Sequence, residues 1–163
     1  MSQGVQLTLS EAGYDEWAPA PVADGYVKTR VDGDVKLVSG QGLDGVGLGC
    51  ENADGSLQFL FLLRPGQQWS LETTLPAAGV GIQVLASGTN ASILPPLHGN
   101  LVSAVCATQA GSTDLMLAVN GTPVANFSVD DVQPGVGWVP LIIQCSCGGV
   151  DTGQFTNVEQ SAC

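Results

Sequence analysis

The chain has 163 residues, enough for one domain with a real core, since domains usually run about 100–150 residues. Fifteen acids face only Lys28, Arg30, Lys36 and Arg64, for a formal charge of −11. Nucleic acid and anionic membrane surfaces are bound through Lys and Arg, so both are poor partners for it.

Charged residues make up 12% of the chain, about half the usual share of around 25%. Twenty-two glycines, nine prolines and many small polar residues stand in their place. That mixture suits short strands and frequent turns. No run reaches the roughly 18 apolar residues a membrane-spanning helix needs. A basic start followed by an apolar run is also missing, so no signal peptide is expected within these residues. Met1-Ser2-Gln3-Gly4 reads as an appended start, which leaves room for a removed signal or anchor.

In chain order, Val5 to Leu9 reads as a strand, followed by an irregular acidic loop holding Tyr14 and Trp17. Tyr26 to Val31 alternates as a strand, Asp32-Gly33 reads as a turn, and Asp34 to Val38 continues. Val46 to Glu51 sets Val46, Leu48 and Cys50 on one face and glycines on the other. Stripped of side chains, that second face is expected to pack closely. Leu57 to Leu63 is apolar on both faces except for Gln58, as a central strand would be.

Arg64-Pro65-Gly66-Gln67 has turn chemistry, and Gln68 to Thr73 follows as a strand. Val80 to Ala86 is either a strand or irregular, and Ser92 to Gly99, with Pro95-Pro96, reads as a loop. Leu101 to Ala107 is a strand with Val102, Ala104 and Cys106 on one face. Leu115 to Val119, Asn120-Gly121 and Thr122 to Val129 form the clearest hairpin, because Asn-Gly tolerates positive φ at both turn positions. Gly137 to Cys147 and Phe155 to Gln160 are the last strands. No dozen-residue segment carries an unbroken helical stripe. The expected fold is therefore an all-β antiparallel sandwich, one domain over 1–163.

Four segments resemble the concanavalin A-like, laminin-G-type jelly roll, and most closely the bacterial extracytoplasmic version of it. They are Gly45 to Cys50; Leu57 to Phe61 with Arg64-Pro65-Gly66 and Trp69 to Leu71; Asn100 to Cys106 with Leu115 to Ala125; and Phe155 to Val158. The family usually has Asp where Thr156 stands. The resemblance implies two antiparallel sheets packed face to face, outside the cytoplasm, often on a membrane-anchored parent. It implies no single activity, because this scaffold hosts lectins, adhesion modules, sensors and hydrolases.

The resembling family also pairs cysteines at the places of Cys50 and Cys106. Both residues end an apolar strand face, so a Cys50–Cys106 disulfide is expected. Cys145 and Cys147, two apart, are badly placed to bond each other. Cys145 is expected to bond Cys163, with Cys147 left as a thiol or paired outside the chain. Disulfides imply an oxidising compartment.

Candidate chemistry is sparse. His98, the sole histidine, lacks a GxSxG nucleophile elbow. The same-strand carboxylate triplet of hydrolases on this scaffold is missing, and adjacent Asp130-Asp131 would point to opposite faces. Calcium could draw oxygens from Asp32 with Asp34, or from Asp130 with Asp131, yet neither pair resembles a dedicated DxDxDG loop. Among the aromatics able to stack on a sugar, Tyr14 and Trp17 stand out because they lie among polar residues. Asn90, Asn120 and Asn126 each begin a glycosylation sequon. The expected function is a non-catalytic extracytoplasmic recognition or sensor module for carbohydrate or cell-wall material. The alternatives are a glycan-acting enzyme and an adhesion module that binds a protein.

Overall fold

A computed structural model of the chain describes residues 4–9, 13–17, 28–39, 43–51, 58–75, 80–109, 112–130, 141–145 and 151–162. Twelve strands are present among them, and the only helix is a three-residue 3-10 turn at Pro96–His98. The strands are β1 (Val5–Leu9), β2 (Gly13–Trp17), β3 (Lys28–Ser39), β4 (Leu43–Glu51), β5 (Gln58–Arg64) and β6 (Gln68–Leu75), then β7 (Val80–Thr89), β8 (Asn100–Gln109), β9 (Ser112–Val119), β10 (Thr122–Asp130), β11 (Leu141–Cys145) and β12 (Asp151–Ala162). They form two six-stranded sheets. Sheet A has the order β1-β12-β3-β8-β9-β10, and sheet B the order β2-β11-β4-β5-β6-β7. Every pairing is antiparallel.

The period-two pattern explains the layers. Val102, Ala104 and Cys106 on β8 and Leu115, Leu117 and Val119 on β9 turn to one side of sheet A. They meet Val46, Leu48, Cys50, Phe59, Phe61, Leu63 and Leu71 from sheet B in one buried cluster. The Cys50–Cys106 disulfide joins β4 to β8 across the two sheets, with the Cα atoms 6.6 Å apart. Central β5, paired with β4 and β6, is buried on both faces, as its doubly apolar sequence requires.

Two sequence expectations are corrected. Asp32-Gly33 makes no turn: β3 runs through it unbroken, paired with β8 on one side and β12 on the other. The irregularity sits instead in β12, where Asn157 and Val158 have no register partner between Thr156 and Glu159 and Asn157 takes a φ of 52°. Asn tolerates that left-handed conformation better than most residues, and Asn157 Nδ2 donates to Asp34 Oδ2 at 2.7 Å. The residues around Tyr14 and Trp17 are likewise no loop. They form β2, an edge strand of sheet B paired to β11. The undecided Val80 to Ala86 segment is a strand that extends to Thr89.

Candidate functional site

The side of sheet B that faces away from the sandwich core carries the polar residues of the β5–β6 hairpin. The turn between the two strands puts Gly66 at φ 77° and Gln67 at φ 60°, and the Asn90 amide donates to the Gln67 carbonyl at 2.9 Å. This turn fixes the register Arg64↔Gln68, Leu62↔Ser70 and Leu60↔Glu72. Alternation then turns Leu71 into the core and leaves Ser70 and Glu72 on the outer face beside Arg64. On the next strand, a register shift between Leu71 and Glu72 leaves Leu85 unmatched. Such bulges bend a strand and re-aim its side chains.

A cleft of about 430 Å³ lies over this region of β6 and β7. Arg64, Ser70 and Glu72 line it, together with Gln68, Ser87 and Thr89. Glu72 is 1% exposed. Its Oε1 accepts from Arg64 Nη2, and from Ser70 Oγ at 2.8 Å. Ser70 Oγ in turn accepts from Arg64 Nε at 2.8 Å. Two of these bonds end on the same carboxylate oxygen, Oε1. The other, Oε2, is buried and has no hydrogen-bond partner. A buried carboxylate oxygen left unpaired is costly. Trp69 is partly buried and packs on the core. Its indole lies against Gly88, where an added Cβ would come 3.0 Å from Nε1.

A second polar line crosses the same face. Gln58 Nε2 donates to Glu51 Oε2 at 2.5 Å, and Thr74 Oγ1 donates to Gln58 Oε1 at 2.9 Å. Between the two lines lie Leu60 and Leu62, both fully buried in a cluster separate from the core. A second groove of about 430 Å³ lies on the outer face of sheet A, lined by Val105, Met116 and Ala118 with Arg30 and Ser103. There Arg30 and Ser103 are already engaged with Asp32.

The residues singled out from sequence fall at separate places among the described strands and turns. In the β2 register Tyr14 stands opposite Gln144 and Trp17 opposite Leu141, so alternation assigns the two positions to different faces of the sheet. The side chains of both lie outside the described residues. Asp32 accepts from Arg30 at 2.8 Å and from Ser103, while Asp34 accepts from Asn157. Asp130 ends β10, exposed, and Asp131 lies outside the described residues. Among the described residues no three His, Cys, Asp or Glu come together. His98 is exposed in the 3-10 turn. Cys145 belongs to β11; its side chain, Cys147 and Cys163 lie outside the described residues, and with them the expected Cys145–Cys163 bond. Arg64, Ser70 and Glu72 escaped sequence reading as a site. The signal was there as polar residues at period two, interleaved with Trp69 and Leu71, but only the register across the turn brings Arg64 to them.

No protein-family model matches the sequence, and no curated protein matches it either. Solved structures match it in fold. The carbohydrate-binding module CBM66 from Bacillus subtilis superposes with a TM-score of 0.62 at 11% identity, over 99% of this chain and 94% of that one. The chain has the lectin-like jelly-roll fold. A legume lectin-like domain from Entamoeba histolytica gives a TM-score of 0.61 at 10% identity, over 98% of this jelly roll and 84% of its own length. The galectin LEC-6 from Caenorhabditis elegans gives 0.50 at 15% identity, over 93% and 95%. At these identities the likeness speaks for the jelly roll alone.

Proposed function

We propose that this jelly roll is a non-catalytic carbohydrate-binding module of an extracytoplasmic protein, and that its glycan lies in the cleft over β6 and β7. One observation carries the reading: a cleft rimmed by the exposed Gln68, Ser87 and Thr89, with the Arg64–Ser70–Glu72 set fixed at its floor. Sugars present arrays of hydroxyls, and a cleft lined by amide and hydroxyl side chains over a fixed floor is what such an array meets best. Lectin and carbohydrate-binding-module names recur among proteins of the same fold, which supports the ligand class. Glu72 is the only carboxylate lining the cleft among the described residues. Glycoside hydrolysis ordinarily needs two, so binding without turnover is the better reading. The disulfide supports an oxidising location. Tethering to a membrane-anchored parent, and a sensor role there, belong to the same proposal.

The test is a binding titration against an oligosaccharide panel with two variants. Ser87 is exposed at the cleft, so Ser87→Trp fills it without touching the core. It should abolish glycan binding and leave the melting temperature unchanged. Trp17→Ala, at the opposite edge of sheet B, should leave binding intact. If Trp17→Ala removes binding while Ser87→Trp does not, the ligand belongs at the β2 edge with Tyr14 and Trp17 and the cleft is the wrong site. Hydrolysis of any panel member, lost in Glu72→Gln, would replace the binding module with an enzyme.

A further inference from the structure

Resting on that reading, we infer that the cleft selects uncharged glycans and discriminates against uronate-containing and sulfated ones. Among the described residues the charges lining it cancel. Arg64 is its one cation among the described residues, and Arg64 Nη2 already bonds Glu72. The other described polar groups, from Gln68, Ser70, Ser87 and Thr89, are amides and hydroxyls, and Val84, Trp69 and Gly88 stand beside them. An acidic sugar brought here finds no uncommitted counter-charge. It lies instead above the Glu72 carboxylate, buried under the cleft floor. In a partly desolvated cleft two like charges a few ångströms apart repel strongly. The rest of the molecule adds to this, since the formal charge is −11 and lowers the local concentration of anions. A neutral pyranose or furanose reverses every term. Its hydroxyls exchange hydrogen bonds with the exposed Gln68, Ser87 and Thr89 at the rim. About 430 Å³ holds a short segment of chain rather than a single ring.

The experiment uses calorimetry on the intact domain. The probes are neutral gluco-, manno-, galacto- and fructo-oligosaccharides, beside oligogalacturonate, alginate and chondroitin sulfate fragments of equal length, each at low and at high salt. A neutral ligand should bind with an affinity that salt hardly changes, and each acidic fragment at least about tenfold more weakly. Glu72→Gln keeps the shape and leaves Arg64 unbalanced, so the ratio of acidic to neutral affinity should rise about tenfold. Should that variant fold poorly, Gln68→Lys adds a cation at the exposed rim and should move the ratio the same way. Wild-type protein that prefers an acidic fragment, with affinity falling as salt rises, overturns the selectivity while the carbohydrate reading survives. Binding to none of the probes sinks that reading and this inference with it.

Discussion

Asn120 donates through Nδ2 to the Ser92 carbonyl at 2.8 Å and to Asn100 Oδ1 at 2.9 Å, and its Oδ1 accepts from the Leu101 amide at 2.9 Å. Its backbone φ of 51°, with 80° at Gly121, makes the tight turn between β9 and β10. The same side chain therefore closes a hairpin and pins the loop before β8, whose Ile93 is buried in the core. Nδ2 has both hydrogens committed, so the sequon at this position is structural. Asn120→Ala strands these partners and should cost about 1–3 kcal/mol, read from the denaturant midpoint. Asp32 offers a pH test. Burial pushes its carboxyl up, but hydrogen bonds from Arg30 and Ser103 and the Arg30 charge together outweigh that and hold it below the usual carboxylate value. A depressed folded-state pKa stabilises above the unfolded value of about 3.9 and is lost as pH falls through the folded one. Arg30 is half exposed and Asp32 30% exposed, so the pair contributes only about 0.2–1 kcal/mol. The melting temperature of Asp32→Asn should lie slightly below wild type at neutral pH, and the gap should close below about pH 4. A gap that widens with acid would mean the carboxyl is not held down in the folded state.

Among the elements, β4 shows why glycine alternates with apolar residues. An added Cβ at Gly47 would stand 1.8 Å from the Phe61 carbonyl oxygen and 2.8 Å from its carbon. Backbone cannot yield as a side chain can, so Gly47→Ala must force β4 and β5 apart. The expected cost is at or above the roughly 1–3 kcal/mol of an overpacked core, and urea denaturation would show it. An unchanged midpoint would mean the two strands are more loosely joined than this. The expected close packing of that face is thus found at Gly47. Other elements were legible to different degrees. The β9–β10 hairpin follows from a local signal, Asn-Gly between alternating strands, and forms with Thr122 opposite Val119. Asp32-Gly33 carries an equally good turn signal and yet stays extended. Flanking strands on both sides hold its backbone, a tertiary condition that outvotes local propensity. Tyr14 and Trp17 sit in a polar stretch without clear alternation, and what makes it a strand is pairing with β11, more than 120 residues later.

For the whole molecule the disulfide is the main covalent constraint described. It links positions 56 apart and ties sheet A to sheet B. A closed loop of that length is worth about 4 kcal/mol in the chain-entropy model. Replacing Cys50 and Cys106 together by Ala should lower stability by a similar amount and leave the strand content unchanged by circular dichroism. Protein from an oxidising compartment in which both thiols react freely would remove this constraint and the main support for an extracytoplasmic location.

The sequence by itself determined the class of fold and the faces of its strands. Period-two alternation, Asn-Gly and Pro-Gly turns and the doubly apolar β5 are local properties, and each survives into the structure. The Cys50–Cys106 pair was legible partly because both cysteines continue the inward face of an apolar strand, and partly through the resemblance to a family that pairs cysteines at these places. The candidate site was not legible. Arg64 and Glu72 are eight apart in the chain, and their meeting depends on the hairpin register. The cleft above them also depends on β7 pairing with a bulge beside Glu72. Tertiary structure alone decided that Arg64 and Ser70 would both bond one oxygen of the Glu72 carboxylate and leave the other buried without a partner.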